Sequence, residues 1–156
     1  MPENLVVFDC VVFLQGLIKE SGPAVTCLEH FEQGRFSLAI SPEILTELHD
    51  VLSRSHLRQS FPRLTEEKLE QLIDLLLLKG KLFRNVPRVF DLPRDPDDEP
   101  YINLAIEAGA RFLVTRDRDL LDLMNGETKE GRGFQSRFAQ LKILNPVDFL
   151  RMLEAE

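Results

Sequence analysis

Leu5-Val6-Val7-Phe8-Asp9 places four apolar residues in a row and then stops on a carboxylate. A run this short and this uniformly apolar suits a strand buried on both faces of a sheet. Working outward, Pro23 to Gln33 reads as a helix closed by Gly34, and Phe36 to Ile40 as a second strand. Ser41-Pro42 opens a further helix, because the hydroxyl caps free amides and proline fits the first helical position. Thr65, followed by Glu66 and Glu67, starts a helix that runs to Lys79 and stops at Gly80. Leu82 to Val86 reads as a short strand, and Val86 to Pro100 as a turn-rich segment holding Pro87, Pro93, Pro96 and Pro100. A helix then runs to Ala108 and ends at Gly109, before the strand Phe112-Leu113-Val114. Residues 125–136, rich in glycine and polar groups, read as a surface loop. Leu141 to Leu144 is the last strand, and Asn145-Pro146 repeats the cap-plus-proline start for a terminal helix. Short apolar runs alternating with longer helical ones predict an α/β fold: a three-layer α/β/α sandwich around a mostly parallel sheet, as a single domain over residues 1–156.

The chain has 156 residues, 44% hydrophobic and 29% charged, which is enough for one full core and ordinary for a soluble protein. The greasiest stretch, Leu72 to Leu78, is interrupted by Asp74 and is too short to span a membrane. The N-terminus, MPENLVVFDC, lacks the basic region of a signal peptide and enters a strand almost at once. Cys10 and Cys27 have no metal-type spacing and read as reduced core residues of a cytoplasmic protein. The net charge of −7 argues against coating nucleic acid through a broad basic face. It leaves open an enzyme that reaches one phosphate through bound metal ions.

Four acids stand at element boundaries: Asp9, Glu47, Asp98 and Asp117. Asp9 follows the first strand, and Asp117 follows the strand 112–114, so both lie where open parallel sheets bind ligands, beyond the carboxyl ends of strands. If those two strands are neighbours at a switch in strand order, the two acids face one crevice. Glu47 falls on the edge of an apolar helical face formed by Ile44, Leu48, Val51 and Leu52. Asp98 opens the helix before Ile102 and Ala105, although the pattern leaves Asp97, Asp98 and Glu99 open as the inward-facing acid, with Asp97 suited to cap the helix. Each site also has a plain structural reading: Asp9 as a helix cap, Glu47 paired with Arg54, and acids at a helix start favoured by its dipole. Carboxylates gathered at one rim repel one another unless a divalent cation sits among them.

Several stretches together resemble the PIN domain nucleases, and more closely their VapC-like branch. They are Val7-Phe-Asp9, Ser41-Pro-Glu-Ile-Leu-Thr-Glu-Leu48, Asp95-Pro-Asp-Asp98 leading to Leu104-Ala-Ile-Glu-Ala-Gly109, Leu113-Val-Thr-Arg-Asp-Arg-Asp-Leu-Leu121, and Asn145-Pro-Val-Asp-Phe-Leu150. The resemblance implies a Mg²⁺- or Mn²⁺-dependent ribonuclease whose acidic quartet falls on Asp9, Glu47, Asp98 and Asp117. Asp119 is an additional candidate ligand, and Glu47 binds metal directly or through water. Thr115 and Arg116, with Arg118, are candidates for holding substrate near the metal; plain solvated charge is the alternative for the arginines. Similar proteins are toxins paired with a small antitoxin and are usually homodimers. The chain departs from the family in one place, with Cys10 and Val11 where threonine and asparagine usually follow the first aspartate. Two other readings remain: a receiver-like module phosphorylated on Asp9, and an inactive PIN-like protein that only binds a partner. The basic group Lys129, Arg132 and Arg137 reads as solvated loop or as RNA backbone contact, and His30, His49 and His56 have no catalytic spacing.

Overall fold

The computed structural model describes residues 4–155, so Met1, Pro2 and Glu3 of the N-terminal stretch, and Glu156, lie outside the described residues. Five strands form one sheet: β1 (Leu5–Phe8), β2 (Ser37–Ile40), β3 (Lys81–Leu82), β4 (Phe112–Val114) and β5 (Lys142–Leu144). Their order is β3-β2-β1-β4-β5, and every neighbouring pair is parallel. The chain builds outward from β1 through β2 to β3, then returns to place β4 on the other side of β1. The switch in strand order therefore falls between β1 and β4, the two strands that end near Asp9 and Asp117. Parallel strands need crossovers and covered faces, and helices lie on both sides of this sheet as an α/β/α sandwich.

The helices begin where side chains can satisfy free amides. α1 (Cys10–Ile18) follows β1 directly, and Asp9 caps it. α2 (Pro23–Glu32) precedes β2, and α3 (Pro42–Leu52) follows it, with the Ser41 hydroxyl accepting from the Ile44 amide at 3.2 Å. After the short α4 (Ser55–Ser60), α5 (Glu66–Lys79) is capped by Thr65, whose hydroxyl accepts from the Lys68 amide at 3.1 Å. α6 (Glu99–Ala108) ends at Gly109, whose φ of 62° is the left-handed conformation that glycine adopts without strain. α7 (Arg118–Leu121) and α8 (Lys129–Arg137) lie between β4 and β5. In α9 (Pro146–Glu154), the Asn145 side chain accepts from the Asp148 amide at 2.8 Å.

One face of the sheet is packed with aromatic rings. Phe8 meets Phe13 of α1 and Phe149 of α9, while Phe36 and Phe112 also pack on Phe149, with ring centroids between 5.2 and 6.1 Å apart. Burying each such ring stabilises the fold by roughly 1.5–3 kcal/mol. α6 packs on β1, β2 and β4, which fixes the start of that helix, and Asp98 with it, at the rim of the central strands.

Two expectations are corrected. The third strand is Lys81–Leu82 rather than Leu82–Val86. Its ladder stops because Asn85 takes a left-handed φ of 56° and Pro87 has no amide to donate. Residues 125–136 are not a plain loop, since α8 occupies most of them. Thr128 caps α8 by accepting from the Gly131 amide at 3.0 Å, and the buried Phe134 ring packs on Phe90 and Phe138, each at 5.2 Å. Tertiary burial of that ring outweighs the poor helix propensity of Gly131 and Gly133.

Candidate metal centre at the sheet rim

Asp9 sits at the end of β1 with 2% of its surface exposed. Its amide donates to the Val114 carbonyl at 3.1 Å, across the β1–β4 switch. One carboxylate oxygen accepts from the Val12 amide at 3.0 Å, and the other accepts from the Thr115 hydroxyl. Asp9 is thus a helix cap, as its plain structural reading held, and is also tied to the neighbouring strand end. Burial pushes its carboxyl up to about 6, partly offset by the Thr115 and Val12 hydrogen bonds, while Asp117 pushes it further up.

Thr115 is fully buried, and its hydroxyl also accepts from the Asp117 amide at 2.9 Å. Its side chain thus links Asp9 to Asp117. Asp117 caps α7, accepting from the Asp119 amide at 2.7 Å. Although burial opposes it, hydrogen bonds from Asp98, from the Asp119 amide and from Asp95 hold the Asp117 carboxyl below its usual range.

Asp98 stands at the entrance to α6 and makes no capping bond; neither it nor Asp97 caps the helix. Of the acids the pattern left open, Asp97 is exposed and Glu99 is the most buried. Glu99 turns away to structural work, accepting from the Leu92 amide at 2.8 Å and pairing with Arg88 at 2.9 Å. Asp98 is the one that meets the other acids. One of its carboxylate oxygens is shielded from solvent without a hydrogen-bond partner. Burial, contact with Asp117, and the charges of Asp95 and Asp9 hold its carboxyl well above the carboxylate range. Two carboxyls in contact disfavour double ionisation, which raises the Asp98 carboxyl while Asp117 is held ionised.

The tightest group of ligand atoms among the described residues belongs to Asp95, Asp117 and Asp119, all within 4.8 Å of one another. Asp117 and Asp119 were legible as candidates, whereas Asp95 was not. It lies on the turn-rich strap before α6, where no periodic pattern marks a facing. That strap is placed by Asn103, whose side-chain oxygen accepts from the Val89 and Phe90 amides, each at 2.9 Å. The Asn103 amide group donates to the carbonyls of Phe90 at 2.9 Å and Glu99 at 3.0 Å. Asp9 and Asp98 stand outside the close trio but act on Asp117 electrostatically.

Glu47 of α3 is half-buried and accepts from the Tyr101 hydroxyl at 3.1 Å. Burial raises its carboxyl, and the nearby Asp97 adds to this against the lowering effects of Tyr101 and Arg54. Cys10 lies beside it, its thiol pushed up to about 12 by burial and by the charges of Glu47 and Asp9. Cys10 and Cys27 are both free, Cys27 being buried as expected and Cys10 half-buried. Arg116 and Arg118 are exposed beside Asp117. Farther away, Arg132 of α8 bonds the Glu127 carbonyl at 2.9 Å and Arg137 bonds the Val89 carbonyl at 3.4 Å, so part of that basic group serves the fold itself.

These donors fit a hard divalent cation. They are carboxylate oxygens at ligand spacing, with one buried, unpartnered oxygen of Asp98 at their edge and mutual repulsion that a cation would relieve. No helix of the described residues is long and apolar enough to cross a membrane.

Comparison with known proteins bears on the family and the fold. Over 149 residues the chain is 26% identical to the uncharacterized protein MJ1680 of Methanocaldococcus jannaschii, covering 96% of this chain and 91% of that one. The fold resembles the crystal structure of PAE2754 from Pyrobaculum aerophilum, with a TM-score of 0.54 and 17% identity over 99% of this chain and 91% of the other. Residues 5–119, from β1 through the acids after β4, match the PIN domain model. The chain belongs to the PIN domain family, whose members are generally metal-dependent nucleases.

Proposed function

We propose that the protein is a Mg²⁺- or Mn²⁺-dependent endoribonuclease that hydrolyses RNA phosphodiester bonds. The observation that carries this reading is the convergence of Asp95, Asp117 and Asp119 at the strand-order switch, with Asp98 against Asp117 and Asp9 joined to Asp117 through Thr115. A bound divalent ion supplies Lewis-acid polarisation of a phosphate and a more acidic bound water. The chain's part is to hold it. Asp117 and Asp119 are first-choice ligands with Asp98, and Asp95 joins them. Asp9 would serve as a ligand, and through the Thr115 bridge it fixes Asp117. Glu47, oriented by Tyr101, would take part directly or through water. Thr115 acts as a positioning residue, and Arg116 is the residue proposed to meet the RNA backbone.

Within the family, resemblance to the VapC-like branch favours a toxin of a toxin–antitoxin pair, acting in the cytoplasm as one domain. A small antitoxin would then cover the acidic crevice, and a homodimer would be the working assembly. The receiver-like alternative is disfavoured because both Asp9 oxygens are engaged and the side chain is buried. An inactive PIN-like binding module is the second reading, motivated by Cys10 and Val11.

The test is cleavage of structured and single-stranded RNAs in Mg²⁺, Mn²⁺ or EDTA, by wild type and Asp98→Asn. Metal-dependent cleavage that falls by at least about a hundredfold in the variant supports the proposal, as expected for loss of charge stabilisation at a reacting phosphate. Identical background cleavage by both proteins at every metal concentration would remove it.

A further inference from the structure

We propose that Arg94 is a built-in counter-cation of the acidic site, occupying Asp119 when no divalent ion is present and falling back on Asp122 when one binds. This rests on the metal-site reading above. Arg94 lies on the strap next to Asp95, so one short segment delivers both a candidate ligand and a positive charge to the same place. Its Nη2 stands 2.7 Å from Asp119 Oδ1, and Asp119 belongs to the trio whose ligand atoms converge. The same guanidinium also reaches Asp122 Oδ2 through Nη1 and Nη2, both at 3.2 Å.

The two partners differ in kind. Asp119 is 26% exposed and faces the other acids, whereas Asp122 is 50% exposed and stands outside the trio. The Arg94 side chain is itself 61% exposed, so its ion pairs are solvent-screened and a divalent ion can displace it from Asp119. Asp122 keeps the guanidinium paired after it withdraws. One fork-shaped group thus serves a ligand and a resting partner, for which the five fixed donors of arginine are suited.

The sign of the effect separates this role from plain support of Asp119. A counter-cation competes with the metal, so its removal strengthens metal binding; a support keeps Asp119 in place, so its removal weakens it. The experiment is Mn²⁺ titration of the full chain, without RNA, read by loss of the free-ion EPR signal. Arg94→Gln is expected to bind Mn²⁺ roughly threefold to tenfold more tightly than wild type, the range for removing one screened charge near a divalent ion. The gain should shrink in high salt, and Arg94→Lys, which keeps the charge, should stay close to wild type. Asp122→Asn should weaken binding more in the wild-type background than in the Arg94→Gln background, because only Arg94 needs the resting partner.

Equal or weaker Mn²⁺ binding by Arg94→Gln overturns the proposal. If Asp117→Asn abolishes binding while Arg94→Gln leaves it unchanged, the metal site stands and only the role of Arg94 falls. If wild type takes up no Mn²⁺ at all, the metal-site reading fails and this inference fails with it.

Discussion

Titrating the metal-free protein tests the buried end of the site without any substrate. Asp9 is 2% exposed, and burial raises its carboxyl from 3.8 to about 6. A carboxyl with a higher pKa in the folded state binds its proton more tightly there. Its effect is therefore neutral below the unfolded pKa, and stability is lost as pH rises through the folded one. With those two values, the preference of the unfolded state for ionised Asp9 costs the fold about 3 kcal/mol at about pH 7.5 and about 1 kcal/mol at about pH 4.5. Asp98, raised by burial and by Asp117, and Asp95, raised chiefly by burial, act in the same direction, while the lowered Asp117 opposes them.

The perturbation is Asp9→Asn, which keeps an oxygen to accept from the Val12 amide but cannot ionise. Urea midpoints in EDTA should show wild type losing about 2 kcal/mol more than the variant between those two pH values. The difference in slope is the readout, because the variant also changes the Thr115 contact and so shifts absolute stability. Saturating Mn²⁺ should remove most of the wild-type loss, since a cation stabilises the ionised carboxylates, and should do less for Asp9→Asn. Equal slopes in EDTA, or a variant that loses more than wild type, would refute the reasoning.

Two further outcomes test how the strap and α8 are held. Asn103→Ala removes the acceptor shared by the Val89 and Phe90 amides and should cost about 2–3 kcal/mol, with faster hydrogen exchange at those two amides and weaker Mn²⁺ binding as Asp95 loosens. Gly131→Ala should destabilise by about 1–3 kcal/mol in urea unfolding, because a Cβ there would overlap the Asn125 backbone carbonyl that precedes α8.

Most of the fold was legible because local chemistry and tertiary structure agree. Ser41, Thr65 and Asn145 each cap the helix that follows, as the sequence suggested, and the apolar runs 5–8 and 112–114 are the adjacent central strands. The conditional about Asp9 and Asp117 is met, since β1 and β4 pair at the point where the order reverses. α1 escaped because Cys10–Ile18 is apolar almost throughout, leaving no amphipathic pattern, and its cap is the residue that drew attention as a ligand. α8 escaped because its two glycines and polar residues look like loop, while the buried Phe134 ring and the Thr128 cap that hold it are tertiary and local features no periodic pattern announces.

The site was legible in part for a similar reason. Asp117 and Asp119 lie on a regular strand-to-helix turn whose geometry follows from the sequence. Asp95 lies on a proline-rich strap whose position is set by Asn103 and Glu99 from a later helix, through contacts between residues that local patterns cannot relate. The bond of Thr115 to Asp9 was not legible, because it depends on the pairing of β1 with β4.

The most direct test of the central claim, that these acids form a divalent-cation site, is anomalous diffraction at the manganese edge from crystals equilibrated with Mn²⁺. The account predicts that the strongest peak lies in direct contact with carboxylate oxygens of Asp117 and Asp119, bordered by Asp95 and Asp98. A strongest peak elsewhere on the molecule, or no peak among these carboxylates at saturating Mn²⁺, would contradict it.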